Sequence, residues 1–343
     1  MLGEVTGWRL IGSVLLSLMF PGFGQGLAAR RHRTLAWALA DVGSTFAIIM
    51  SVWFFWVAIL VRLAAPIDAY FCLRRHHGPT QRTLPAIAIV IGAIGLGYAQ
   101  LAIEAFKIPS SSMYPTLVIG DSVYVDKLSV RWRPPERGEI IVFTQPCAQV
   151  PYIKRVIALA GDTVEVRCNV VYVNGEPIEN ELVIESDSYK DYDESSRAWS
   201  ARNTSRYRER LGGHTYETFH DRDAPMRDKQ QIADTHDFPK RDRMFAPSCQ
   251  QGDFYEPKPG VKKQPVGTLV VTKPVASPCE QQAHFVVPAN ALFVMGDNRN
   301  IANDSRYWGA VSLDAVIGRA IGIWLNNPPN GGERAWSRLG SIE

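Results

Sequence analysis

At 343 residues the chain can hold two or three domains, and a composition of 46% apolar and 10% aromatic residues excludes an intrinsically disordered protein. The formal charge of +3 is unevenly spread: residues 1–107 carry nine Lys and Arg against four Asp and Glu, while residues 108–343 carry 28 against 30. No basic domain stands behind the net charge, so nucleic acid is not an expected partner. Five cysteines with no CxxC and no His/Cys cluster of zinc spacing exclude a disulfide scaffold and a zinc centre, and no metal or cofactor is expected.

Three uncharged runs lie in the front third, Leu10–Ala29, Val42–Val61 and Thr83–Ile103. Each has about the 20 residues that cross the hydrocarbon of a bilayer. A cleavable signal peptide fits the first run poorly, because Glu4 stands where a basic segment belongs and two more apolar runs follow. Pro21, Gly22, Gly24 and Gly26 interrupt that run and suit a broken or re-entrant helix as well as a straight one. Arginine clusters favour the cytoplasmic side. With Arg74, Arg75 and Arg82 inside, the last run leads outward and exports everything after about residue 107. Keeping Arg30, Arg31 and Arg33 inside as well requires residues 34–73 to fold as a helical hairpin, giving four spans; otherwise there are three. Asp41 and Arg62 read as interfacial residues at span ends, the alternative being an intramembrane functional pair.

Beyond residue 107 the pattern changes to short alternating runs. Ser122–Leu128, Glu139–Phe143, Thr163–Val166, Val170–Val173, Thr268–Thr272, Phe285–Val287 and Leu292–Met295 read as strands. Asn174-Gly175 is a tight-turn signal. Residues 186–243 hold 24 charged side chains in 58. They read as the body of an exposed insertion, about 186–265, with short helices near Arg202–Leu211.

Three stretches are out of keeping with mere packing. Ile108-Pro-Ser-Ser-Ser-Met-Tyr-Pro-Thr-Leu117 resembles a linker until its prolines are considered, since Pro109 and Pro115 fix the backbone on both sides. Tyr152-Ile-Lys-Arg-Val-Ile-Ala-Leu-Ala-Gly-Asp162 carries a lysine within an apolar strand, as an edge strand often does. Side chains alternate along a strand, so Lys154 can face inward while Arg155 faces solvent. Gly296-Asp-Asn-Arg-Asn-Ile-Ala-Asn-Asp-Ser-Arg-Tyr-Trp-Gly309 is a polar loop after an apolar strand, and taken alone reads as a turn.

In this order, behind an apolar front third, the three stretches resemble the bacterial type I signal peptidases, the serine-lysine leader peptidases. The resemblance is close over residues 108–178 and 289–325 and loose over the insertion. It implies amino-terminal transmembrane helices over residues 1–107, followed by a mostly antiparallel β catalytic domain, 108–343, with a coiled, partly barrel-like sheet. It also implies that Ser112 is the nucleophile and Lys154 the general base, that Ser110 joins the Ser112 N–H in the oxyanion hole, and that Asp304 and Arg306 support the site. Ile108, Pro109, Met113, Leu117, Tyr152 and Ile153 match the residues lining shallow pockets for Ala-X-Ala. The implied setting is a bacterial inner membrane with the catalytic domain on the extracytoplasmic side. The partners are then signal-peptide-bearing preproteins, the lipid bilayer and the secretion machinery. Many family members carry a serine two residues before the Asp of Asp-Ser-Arg that hydrogen-bonds the lysine. Here that position is Ala302, which leaves a water, Asn303 or a backbone carbonyl to position Lys154.

The chemistry is consistent with that resemblance. A serine hydroxyl needs an adjacent base, and a lysine serves as one only when desolvation brings its pKa down by several units. Tyr152, Ile153, Val156 and Met113 supply apolar walls. Of the seven histidines only His284 lies near the core strands, and it reads as structural; the absence of GxSxG excludes an α/β-hydrolase. A self-cleaving repressor would carry a DNA-binding domain where this chain is apolar. The competing function is an inactive homologue acting as a membrane assembly or quality-control factor, which would tolerate Ser112→Ala. An exported domain can hold disulfides; Cys249 and Cys279, flanking the strand near Thr268, are the expected pair, with Cys147–Cys168 the second choice and Cys72 free.

Overall fold

A computed structural model describes residues 7–28, 30–50, 55–74, 83–242, 244–249, 264–330, 332 and 334–342. Arg75 and Arg82 lie outside the described residues, as does part of the insertion between 243 and 263. The chain divides into two compact units, 1–104 and 105–343.

The first unit is helical: α1 (Gly7–Met19), α2 (Phe23–Leu27), α3 (Arg31–Met50), α4 (Phe55–Arg74) and α5 (Thr83–Ala102). The break between α1 and α2 falls at Pro21-Gly22, where Gly22 takes φ +100°, a conformation open to glycine at no steric cost. The apolar run Val42–Val61 is not one helix. It is divided between α3 and α4, which pack together. Their register is antiparallel, with Arg33 and Trp37 reaching Asp68 and Asp41 reaching Arg62. Residues 34–50 and 55–73 thus lie in an antiparallel pair of helices. Asp41 and Arg62 pair with each other at 3.1 Å, because antiparallel helices bring these mid-helix positions opposite. Gln25, fully buried, donates to the Ala65 carbonyl at 2.9 Å and ties α2 to α4. Among the described residues no helix is long and apolar enough to cross a membrane.

The second unit is built from strands β1 (Ile103–Lys107), β2 (Asp121–Asp126), β3 (Ile140–Thr144), β4 (Pro151–Ala158), β5 (Thr163–Arg167), β6 (Val170–Val173), β7 (Glu176–Pro177), β8 (Glu179–Asp193), β9 (Ala198–Leu211) and β10 (His214–His220). After helix α6 (Ala224–Gln230) come β11 (Thr268–Val271), β12 (Ala283–Val286), β13 (Ala291–Met295), helix α7 (Ser305–Trp308), β14 (Val311–Ser312), β15 (Val316–Asn326) and β16 (Gly340–Ser341). The main sheet runs β1-β2-β15-β3-β4-β13-β14, with β16 on β15. Its pairings from β2 to β14 are antiparallel, and register shifts in β15 and β13 mark bulges. Bulges increase local twist and bend the strand, which gives the antiparallel curled sheet. A second sheet runs β11-β12-β5-β6-β7. Asn174 and Gly175, both at positive φ, turn β6 into β7.

Residues 186–220 hold no short helix near Arg202–Leu211, which is strand. They belong to a third sheet, β10-β9-β8, antiparallel throughout. Charge density hides the period in β9: Ser205, Tyr207 and Glu209 are buried, while Arg206, Arg208 and Arg210 alternate with them. These arginines meet Asp187, Glu217 and Glu179 on the neighbouring strands, the cross-strand ion pairs that stabilise a sheet.

The disulfides are Cys147–Cys249 and Cys168–Cys279, with Cα separations of 5.2 and 5.4 Å; Cys249 and Cys279 are not paired, and Cys72 is free and buried. Sheet neighbours, not sequence neighbours, decide the pairing. β5 lies beside β12 in antiparallel register, so Cys168, just after β5, meets Cys279, just before β12. Cys147 follows β3 and is buried with Phe143, Val156 and Trp308, against which Cys249 packs.

Candidate active site

The segment between β1 and β2 is a closed loop. Ile108 N–H donates to the Asp121 carbonyl at 2.7 Å, and Gly120 N–H returns to the Ile108 carbonyl at 2.9 Å. Ile108, Met113 and Leu117 point inward and form one buried cluster with residues of β2, β3 and β15; Ile153 packs against it. These apolar anchors leave Ser110 exposed and Ser112 half-buried at the surface of the loop, with Ser111 buried between them.

Lys154 arrives from β4, an interior strand between β3 and β13. Its Nζ lies 2.9 Å from Ser112 Oγ and 2.8 Å from the Ile153 carbonyl. The Ile153 carbonyl is thus one partner of the amine, of the kind the sequence left open at Ala302. The Tyr152 ring stands 5.3 Å from the same Nζ. Burial pushes the lysine pKa down to about 8, against the opposing pull of Asp304 and Asp297. Ser110 Oγ is 3.3 Å from Ser112 Oγ.

Arg155 does not face solvent. It is 1% exposed and doubly hydrogen-bonded to Asp297, through Nε at 2.8 Å and Nη2 at 2.6 Å. Alternation assigns it the face opposite Lys154, but in an interior strand that face is covered too. Asp297 also accepts from Thr116 Oγ1 at 2.5 Å, joining β4, the serine loop and the third stretch.

The third stretch lies against the serine loop. At Gly296 a Cβ would stand 2.4 Å from the Ser112 carbonyl oxygen and 2.3 Å from Ala302 Cβ, so this close approach requires glycine. Asn298 donates its N–H to the Ser112 carbonyl and its Nδ2 to the Ser111 carbonyl, both at 3.2 Å. The Ser111 carbonyl also accepts from Tyr114 N–H at 3.1 Å. A trans peptide is planar with its C=O and N–H opposed, so fixing that carbonyl aims the Ser112 N–H the other way. Asp304 caps α7, accepts from Gly296 N–H at 3.1 Å, and holds Arg306 through Nε and Nη2, each at 2.9 Å.

Of the residues singled out in the sequence, Ser110, Ser112, Lys154, Asp304 and Arg306 lie in this connected region. Ile108, Met113, Leu117 and Ile153 form its apolar floor; Pro109 is exposed, and Tyr152 belongs to a separate cluster with Phe143 and Val156. Asp297, Asn298 and Thr116 were missed, although all three stand inside the quoted stretches. Asp191, whose Oδ1 accepts from Ser111 Oγ at 2.7 Å, carried no sequence signal at all.

A mostly antiparallel β unit presenting a buried lysine to a loop serine describes a class of peptidase, and comparison with known proteins agrees. The family described as signal peptidase, peptidase S26, matches residues 80–325. Signal peptidase I of Leptolyngbya laminosa is 39% identical over 236 residues, covering 66% of this chain and 71% of that one. Signal peptidase I of Buchnera aphidicola subsp. Schizaphis graminum is 28% identical over 244 residues, 65% and 68% of the two chains. That of Pseudomonas aeruginosa is 26% identical over 250 residues, 66% of each. The chain belongs to the S26 signal peptidases and is an enzyme of the signal peptidase I type.

Proposed function

We propose that this enzyme removes signal peptides by acyl transfer through Ser112, with Lys154 as its general base. The observation that carries this reading is the 2.9 Å approach of Lys154 Nζ to Ser112 Oγ, made by a lysine whose pKa burial has lowered to about 8. In its neutral form Lys154 accepts the serine proton as Oγ attacks the scissile carbonyl. The oxyanion is met by the Ser112 N–H and the Ser110 hydroxyl. The resulting ammonium protonates the leaving amine, and water then hydrolyses the acyl-enzyme with Lys154 again as base. The amine is oriented by the Ile153 carbonyl in place of a serine at 302.

The substrate enters as an extended strand beside the serine loop. Main-chain hydrogen bonds give affinity, and the surface at Pro109, Tyr152 and Ile153 selects Ala-X-Ala, with Ile108, Met113 and Leu117 buried beneath it as its apolar support. The helical unit is held in the bilayer as a multi-pass anchor, with the peptidase unit exported. Its support is the three uncharged runs and the outward apolar side chains of Leu35, Leu39, Leu60, Leu63 and Ile67, 43–64% exposed. The secretion machinery is the further partner this setting implies. Incubating the purified protein with a preprotein, beside Ser112→Ala, tests the reading: the wild type releases the signal peptide and the variant does not, and cleavage by Ser112→Ala rejects it.

A further inference from the structure

The serine loop is held from one side by the third stretch and from the other by the inserted sheet. Tyr189 and Asp191 stand two apart on β8 and so share a face. The Tyr189 ring stacks on Phe219 of β10 at 5.2 Å and meets the Tyr114 ring edge-on at 5.1 Å. Tyr114 follows the serines by two residues and is buried with Ile119 and Phe219. This aromatic contact fixes the hairpin on the loop, and Asp191 then reaches Ser111. Ser111 is 4% exposed, and its Oγ donates to Asp191 Oδ1 at 2.7 Å. The other carboxylate oxygen of Asp191 lies 3.5 Å from Nε of Arg202, an exposed ion pair to β9.

Ser111 is the residue between the two hydroxyls of the site, and its peptide supplies the Ser112 N–H. Its carbonyl is fixed by Asn298 and Tyr114; its side chain is fixed only by Asp191 among the described residues. With both ends held, the 110–112 backbone cannot rotate to swing the Ser112 N–H or the Ser110 hydroxyl away from a developing oxyanion. We propose that Asp191, a residue of the charged insertion, is a positioning residue for the nucleophile loop. The insertion is on this account part of the catalytic apparatus, not a surface elaboration. The proposal rests on the reading of Ser112 as nucleophile.

The test is steady-state preprotein cleavage by the full chain and its Asp191→Ala, Asp191→Asn, Ser111→Ala and Asp191→Ala/Ser111→Ala variants, with Ser112→Ala alongside and thermal unfolding measured for each. Displacement of a reacting group by about 1 Å can cost on the order of a hundredfold, so Asp191→Ala is expected to lower kcat about tenfold to a hundredfold with KM within about twofold. Asp191→Asn keeps the acceptor oxygen and stays within about threefold of wild type, roughly the effect of one neutral hydrogen bond exchanged for a charged one. Ser111→Ala matches Asp191→Ala, and the double variant is no worse than either, as for two halves of one contact. Wild-type kcat in Asp191→Ala, additive losses in the double variant, or equal loss in Asp191→Asn overturns the proposal. A fall in activity that tracks a fall in unfolding temperature across all four variants overturns it as well, by making the contact a stability element. Cleavage by Ser112→Ala removes the underlying reading, whereas an inactive Ser112→Ala beside a fully active Asp191→Ala removes only the role of Asp191.

Discussion

Lys154 and Arg155 are consecutive on β4 and both buried, yet only the arginine has a carboxylate in contact. Arg155 is paired in two places with Asp297, and Lys154 meets a hydroxyl and a carbonyl. A guanidinium keeps its proton in any protein environment, so burying it requires a counterion. An amine can lose its proton instead. The strand thus carries one permanent cation, neutralised, and one cation free to become a base.

The pH dependence of kcat/KM follows from that difference. The neutral fraction of Lys154 grows as pH rises through its lowered pKa of about 8, so the rate should climb about tenfold per pH unit below that value and level off above it. A rising limb centred near the ordinary lysine value, or a flat profile between about pH 6 and 9, contradicts the assignment of the base. The same shift bears on stability. The unfolded chain binds this proton more tightly than the folded one, so the lysine's contribution to folding improves between about pH 8 and the ordinary value of 10.5.

Asp304→Asn should move that limb to lower pH. The Asp304 carboxylate favours the Lys154 ammonium; removing its charge lets desolvation lower the pKa further. Turnover should fall at the same time, because Arg306 loses its counterion. The position of the limb does not depend on how much of the variant is folded, so it can be read even from a weakened enzyme. A limb that stays in place or moves upward rejects this electrostatic account.

Much of the fold was legible. The strands with clear alternation were found within a few residues of their ends, and Asn174-Gly175 turns where expected. β9 escaped because its period lies in which polar residues are buried, and Arg206, Tyr207, Arg208 and Glu209 are all helix-compatible when read singly. The site was readable as far as it resides in contiguous stretches. Ser112 and Lys154 are 42 residues apart, and motif order brought them together; Asp191 and Ser111 are 80 apart, with one partner in a segment that has no motif. Arg155 was misread because alternation says which face a side chain takes and not whether another layer covers it.

The Arg155–Asp297 pair is 1% exposed on each side. Breaking a buried pair leaves a charge uncompensated, so Asp297→Ala should cost roughly 3–5 kcal/mol in urea unfolding. The exposed pair of Arg210 and Glu179 provides the contrast, with Glu179→Ala expected to cost less than about 1 kcal/mol. Equal losses in the two variants would place the important contacts elsewhere.

Mass mapping of the non-reduced protein should recover Cys147 linked to Cys249 and Cys168 linked to Cys279, with Cys72 as a thiol. A Cys249–Cys279 peptide would contradict the sheet arrangement that sets β5 beside β12.

Whether Ser112 and Lys154 act as one unit is decided by the preprotein cleavage rate of the Ser112→Ala/Lys154→Ala double variant set beside the two single ones. Residues that act together lose function together, so each single substitution should abolish cleavage and the double variant should be scarcely worse than either. Activity within about tenfold of wild type in either single variant, or losses that multiply in the double one, would contradict that expectation.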